Sequence, residues 1–360
     1  MMTTHFGILG GGNISRTHAS AAREIEGGEV VAVCGQNKEK VDLLARECSA
    51  TPYHDIDAFL LHEPMEVVLV GSPSGLHAAH GIQAAGRGKH VLVEKPIDVA
   101  TGRADELIAE CERHRVKLGV FFQDRTAPDL IALKRLIDSG SLGRAIVASA
   151  GVKWYRPAEY YSGSRWRGTW ALDGGGALIN QGIHTVDLLI WLMGNVRAVS
   201  AITRTASHKI EAEDLAVAIL EFDSGAIGTL EASTCVYPGF ARRLELTWTE
   251  GTVVVENDRI ESSRLRNRAD AIAAEPQQDE RASSHVVSDT RGHRAVIEDF
   301  LISIRDDRVP LCDGSDARRS LQVVEGIYQS SRTGERVVLS AETDAEGVAD
   351  GPANPKNAHS

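Results

Sequence analysis

The chain is poor in the features that mark secreted, membrane-spanning and nucleic-acid-binding proteins. It holds five cysteines in 360 residues: Cys34, Cys48, Cys111, Cys235 and Cys312. They are scattered, odd in number and form no C-x-x-C pair, which argues for reduced thiols and against a disulfide framework or a zinc site. No run approaches the length of about eighteen apolar residues that a membrane span needs. No Lys or Arg precedes Arg16, so the apolar stretch near the amino terminus is expected to be a strand and not a signal peptide. Basic charge is short as well, with 39 Lys and Arg against 50 Asp and Glu and a formal charge of -11. Nucleic acid and acidic membrane surfaces both require a basic footprint, so neither is an expected partner. These absences point to a cytoplasmic protein.

The most informative feature present is an apolar strand, Phe6-Gly7-Ile8-Leu9, that runs into Gly10-Gly11-Gly12 and then, from Asn13, into a helix-compatible segment. Gly10 lets the chain turn tightly and Gly12 lets backbone approach a pyrophosphate. The following helix, through Asn13 and Ile14, offers unpaired N–H groups and its positive end to the phosphates. Ser15 stands where a third glycine is usual, and is small enough for close helix-to-strand packing. Apolar runs recur at Glu29–Cys34, Val67–Val70, His90–Val93 and Leu118–Phe121, with helical patterns between them. Strands alternating with helices predict an α/β fold, a doubly wound parallel sheet, over residues 1–122.

The pattern then changes. A helix is expected over Pro128–Ser139, a strand over Arg144–Val152 and a helix over Ala177–Met193. Strands follow at Ala198–Thr205, Leu215–Phe222, Ala226–Ser233, Arg243–Trp248 and Thr252–Glu256, separated by turn signals such as Asp223-Ser224-Gly225. This predicts an α+β second domain, residues 123–340, with a large and mostly antiparallel open sheet. Residues 265–291 read as a long connection, followed by helices near Arg294–Arg305 and Ala317–Ser331 and a short strand at Val337–Leu339. Residues 341–360 hold one large apolar residue, Val348, and are expected to be a disordered tail.

Three motifs carry a family resemblance. Gly10-Gly11-Gly12-Asn13-Ile14-Ser15 with His18, Ser72-Pro73-Ser74-Gly75-Leu76-His77, and Gly88-Lys89-His90-Val91-Leu92-Val93-Glu94-Lys95-Pro96 together resemble the Gfo/Idh/MocA oxidoreductases. The likeness extends through Trp166-Arg167-Gly168-Thr169-Trp170, Asn180–Asp187 and Ile327–Gly334. It implies a Rossmann domain, a second domain that supports the substrate site, and a homodimer or homotetramer. It also implies reversible oxidation of a sugar, polyol or nucleotide-sugar hydroxyl. In such enzymes the residues matching Lys95 and His184 act as acid–base groups, and the Lys-Pro bond is often cis. By the same resemblance Ser72, Pro73, His77, Glu94 and Gln123 line the cofactor, and Trp166 and Arg167 lie by its nicotinamide end.

Moving a hydride from a carbinol carbon to nicotinamide leaves a hydroxyl proton, so a base within hydrogen-bond reach is required. Lys95 and His184 are the candidates. Many relatives carry Asp where this chain has Asn180, which is therefore expected to position a substrate hydroxyl. Asp187, one helical turn past His184, either orients that histidine or lies in solvent. His77 and His80 form an H-x-x-H pair, but no carboxylate or cysteine cluster completes a shell, and no metal is expected.

After Cys34 the chain reads Gly35-Gln36-Asn37-Lys38, without the acidic residue that binds the adenine ribose of NAD. Lys38 can pair with a 2'-phosphate instead, so NADP(H) is favoured over NAD(H). Residues 153–170 hold three of the five tryptophans and three of the six tyrosines, interleaved with Lys153, Arg156, Arg165 and Arg167. Aromatic faces beside basic donors suit a carbohydrate bearing an anionic group, with Arg156, Tyr160 and Arg167 as its contacts. Two rival readings stay open: a glycosidase that oxidises its substrate transiently with retained nicotinamide, and a cofactor-sensing protein without catalysis.

Overall fold

The computed structural model describes residues 3–266 and 289–339. The expected tail and most of the 265–291 connection lie outside them. Six strands, β1 (Thr4–Leu9), β2 (Gly28–Cys34), β3 (Thr51–Tyr53), β4 (Val67–Val70), β5 (His90–Val93) and β6 (Leu118–Val120), form one parallel sheet in the order β3-β2-β1-β4-β5-β6. Every residue of β4 is buried, as expected of a strand covered on both faces. The crossovers are α1 (Asn13–Arg23), α2 (Lys38–Cys48), α3 (Ile56–Leu60), α4 (His77–Gly86) and α5 (Thr101–His114). The strand order reverses beside β1, the switch point at which a doubly wound sheet opens a crevice for a ligand.

The later chain supplies α6 (Pro128–Asp138), β7 (Ala145–Lys153), α7 (Ala158–Ser162), α8 (Ile183–Met193), β8 (Val196–Arg204), β9 (Leu215–Phe222), β10 (Ile227–Ser233), β11 (Arg243–Trp248), β12 (Gly251–Glu256) and β13 (Arg259–Leu265). After the gap come α9 (Arg291–Arg305), α10 (Gly314–Thr333) and β14 (Val337–Val338). Eight strands form a second sheet, β13-β12-β11-β7-β10-β9-β8-β14, antiparallel except where β7 and β10 run side by side. The alternation along β9 buries Ala216, Ala218, Leu220 and Phe222, which pack beneath α8 and α10 in the core. The opposite face is apolar too: Val147, Ile202, Val217, Ile219 and Ile227 are exposed on it.

Two expectations are corrected. Residues between the last expected strand and the connection, for which no element is expected, form β13, whose Arg-Ile-Glu-Ser-Ser-Arg-Leu carries too few apolar residues to show a period. The expected helix from Ala177 is not one α-helix, because Ala177–Gly182 is wound as a π-turn and α8 begins only at Ile183. The buried Glu213 carboxylate accepts the N–H groups of Gly176 (3.0 Å) and Leu178 (2.7 Å), and Tyr328 donates to it (3.1 Å). Gly176 has to be glycine, since a Cβ there would collide with the Glu213 carbonyl. A helix entrance tied down from below in this way leaves its next turn to wind wide.

The two sheets share their cover. α9 lays Val296, Ile297 and Phe300 against Phe6, Ile8, Leu92 and Phe121 of the first sheet's core.

Candidate active site

The nucleotide seat lies at the β1–α1 turn. Gly10 has φ +137°, and a Cβ there would stand 2.5 Å from the Gly71 carbonyl and from Ser15 Oγ. Ser15 is buried and fills the place of a third glycine, as the spacing predicts. Gly12 faces open space, and no side chain caps α1 at Gly12. The N–H groups of the first turn are left for an anion, so the residues present fit a bound pyrophosphate. Beyond β2, Gly35 packs against Val41, and Asn37 caps α2 by accepting the Lys40 N–H (3.0 Å). Lys38 opens α2 at the surface.

The opposite side of the crevice is built from corners that follow β4 and β5. His77 stands between two carbonyls, with Nδ1 2.7 Å from Pro96 O and Nε2 2.8 Å from Ser72 O, and ties the Ser72-Pro73 corner to the Lys95-Pro96 corner. His80 reaches the Ser72 hydroxyl instead (2.9 Å). The Lys95-Pro96 peptide is cis.

Glu94 follows β5 and leads into the cis corner. Its carboxylate turns inward, where Oε1 lies 3.0 Å from His18 Nε2 and 3.5 Å from His293 Nε2, and Oε2 accepts the Lys95 N–H (3.1 Å). Burial alone would raise its pKa, but the two imidazoles hold it well below the usual carboxylate range. Gln123 opens the turn before α6 and packs against Gly292 at the start of α9.

The structure brings Lys95, Asn180 and His184 together. Lys95 Nζ donates to the Asn180 backbone carbonyl (2.8 Å), a group that the π-turn presents to it. His184, in the first turn of α8, has Nδ1 3.5 Å from an Asp124 carboxylate oxygen that also accepts from Arg242. Burial pushes His184 down to about 3; Asp124 opposes that fall, while Lys95 and Arg242 add to it. The imidazole is therefore neutral at pH 7 and, in these surroundings, a weak base whose protonated form Asp124 and, less strongly, Glu94 favour.

Two side chains have partners that the sequence does not indicate. The Asn180 amide is engaged within the protein, its NH2 donating to Asp173 (2.6 Å) and its oxygen accepting from Gln181 (3.1 Å). Asp187 neither orients His184 nor lies in solvent. It is buried and receives two hydrogen bonds from Arg125 (2.6 and 2.7 Å). Asp124, Arg242 and Asp173 lie beside these residues and are not marked in the sequence: Asp124 and Arg242 meet across 118 residues, and Asp173 reaches Asn180 only through the winding of the loop between them.

Around this centre lies the basic and aromatic loop. Arg167 sits 4.1 Å over the Tyr160 ring and donates to the Tyr160 carbonyl (3.1 Å). Arg156 is buried against Trp154 and Tyr160 and reaches Gln181 (3.4 Å). Gln181 in turn donates to the Tyr160 hydroxyl (3.0 Å). Trp166 lies under the far side of Arg167, at 5.7 Å.

A family profile described as an oxidoreductase family with an NAD-binding Rossmann fold matches residues 4–122, and one described as the GFO/IDH/MocA C-terminal domain matches residues 130–254. The chain belongs to the Gfo/Idh/MocA family. This Gfo/Idh/MocA oxidoreductase is 32% identical to the WlbA dehydrogenase of Bordetella pertussis, solved with NADH and UDP-GlcNAcA. The match covers 94% of this chain and 100% of that one, with a TM-score of 0.83. It is 27% identical to D-apiose dehydrogenase of Paraburkholderia graminis, over 95% of this chain and 91% of that protein. It is 26% identical to scyllo-inositol 2-dehydrogenase (NAD(+)) of Bacillus subtilis, over 95% and 98%. No helix among its described residues is long and apolar enough to cross a membrane.

Proposed function

We propose that this oxidoreductase oxidises a hydroxyl of a sugar that carries an anionic group, a uronate, a phosphate or a nucleotide diphosphate, with Lys95 and His184 taking the hydroxyl proton. The nicotinamide supplies the hydride acceptor when bound. His184, with Asp124 beside it to offset the imidazolium, accepts the proton while Lys95, fixed at the Asn180 carbonyl, donates to the hydroxyl oxygen, or Lys95 takes the proton itself when it is present as the free amine.

The observation that carries the anionic substrate is Arg167. Its guanidinium stacks on Tyr160 beside the Asn180–Gln181 turn, and among the described residues no carboxylate lies within ion-pair distance of it. The likeness to a dehydrogenase solved with UDP-GlcNAcA supports the same class. The test follows nicotinamide absorbance over free sugars, inositols, sugar acids and nucleotide sugars. Turnover should favour the anionic members, and Arg167→Ala should raise their KM by about tenfold to a hundredfold, the loss of one charge-assisted contact. An unchanged KM rejects the anion, and silence across the panel rejects the reaction.

For the cofactor, NADP(H) is favoured over NAD(H). Residues 35–38 after β2 hold no carboxylate to repel a 2'-phosphate, Asn37 is occupied in capping α2, and Lys38 is exposed at that helix start, ahead of Glu39. NADP should bind at least about fivefold tighter than NAD, and Lys38→Glu should reverse the order, as expected for one exposed charge pair near a helix N-terminus. Equal affinities, or tighter NAD, would sink this preference. The five free cysteines support a reducing cytoplasm, and the exposed apolar face of the second sheet supports assembly into a homodimer or homotetramer.

A further inference from the structure

Asp173 is fully buried in the glycine-rich loop before the π-turn, yet no arginine or lysine pairs with it among the described residues. Its two oxygens are each claimed by an amide. Oδ2 accepts the Gly168 N–H (2.8 Å), and Oδ1 accepts the Asn180 side-chain NH2 (2.6 Å). The remaining side of the Asn180 amide is closed by Gln181, whose other contacts are Tyr160 and Arg156. Asn180 is thereby held at both ends, and its backbone carbonyl is the one that receives Lys95 Nζ.

The geometry points to Asp173 as a positioning residue for Lys95: its carboxylate, acting through the Asn180 amide, fixes the π-turn carbonyl to which the lysine is bound and links that turn to the Arg156–Tyr160 side of the site. The inference rests on the reading of Lys95 as an acid–base group. Position 180 carries an amide, and the negative charge lies one hydrogen bond away, on the preceding loop. An amide at 173 cannot do the same work. It offers one acceptor oxygen where two N–H donors converge, so one donor would be left facing an NH2 group.

Protonation has the same consequence, because a carboxylic acid also gives up one acceptor site. Burial pushes Asp173 up to about 6, although the Gly168 and Asn180 donors and the charges of Lys95 and Arg167 all favour the ionised form. Tyr160 and Tyr161 face it from α7. Glu213, which caps the same π-turn from the other side, is pushed up by burial to about 7 and is the one competing source of a pH effect there.

The test uses the full chain without cofactor. Amide hydrogen exchange over residues 176–184 is followed between pH 5 and pH 8 and corrected for the intrinsic rate. Protection in the wild type should fall as the pH drops below about 6, as Asp173 takes up its proton. Asp173→Asn should lose that protection by about tenfold at every pH, the equivalent of one buried hydrogen bond. The exchange of partners in Asp173→Asn/Asn180→Asp should restore both the protection and its pH dependence, since the amide and the carboxylate face each other again. A wild-type-like Asp173→Asn or a double variant no better than the single would each overturn the inference.

Turnover of UDP-GlcNAcA by the same variants and by Lys95→Ala separates it from the reading beneath it. If Lys95→Ala keeps its rate, the acid–base reading fails, whatever Asp173 does. If Lys95→Ala is inactive and Asp173→Asn is not impaired, that reading stands and this inference falls.

Discussion

Lys95→Ala should lower kcat/KM by about three orders of magnitude, within the range that a positioned acid–base group supplies, and should leave the Kd of the nicotinamide cofactor nearly unchanged. The separation follows from where the two tasks are built. The proposed pyrophosphate seat is backbone at Gly10, Gly12, Asn13 and Ile14, on the β1–α1 turn, whereas the ammonium reaches across to the π-turn carbonyl of the second sheet's layer. Stopped-flow turnover beside a fluorescence titration of NADPH reads both. A protein that only senses the cofactor would show no change in either. If the fall is tenfold or less, His184 carries the proton alone, with Asp124 offsetting the charge of its imidazolium against the cost of burial.

The second large effect concerns stability. Arg125 is completely buried between the two layers, where it bonds to Asp187, Asp316 and the Leu311 carbonyl and stacks on Trp191. Asp187→Ala removes two of its hydrogen bonds and leaves a guanidinium in the interior with half its compensation. Breaking a buried pair from one side costs about 3–5 kcal/mol, so the urea midpoint should fall sharply without a change in m-value. Asp187→Asn should fall between the two, since it keeps the shape and loses the charge. A midpoint within the scatter of the wild type would mean that Asp316 alone satisfies the arginine.

That same pair shows where a linear reading of the chain stops. Spacing places Asp187 one turn past His184, which is correct, but spacing carries no information on Arg125, which reaches it from 62 residues earlier. Asp124 and Arg242 behind His184, and Asp173 behind Asn180, are hidden for the same reason: each is an unremarkable polar residue until the fold brings its partner. Glu94 belongs to a legible motif, yet it faces two histidines contributed by α1 and α9. What was legible is what repeats or strains locally. The buried strands of the first sheet show as short apolar runs, Gly10 marks the nucleotide turn, and β9 alternates over its whole length. β13 has neither property, and the π-turn owes its winding to Glu213, more than thirty residues away.

The placement of α9 has a consequence for how the protein is made. The first sheet is complete once residue 120 has left the ribosome, but the core around Phe6, Ile8, Leu92 and Phe121, partly covered by α1 and α2, is closed only when Val296, Ile297 and Phe300 arrive. Nearly half of the chain is translated while that hydrophobic face waits. The nascent amino-terminal half is therefore a natural client for chaperones, and a message truncated before α9 would yield a chain that binds to others of its kind instead of folding.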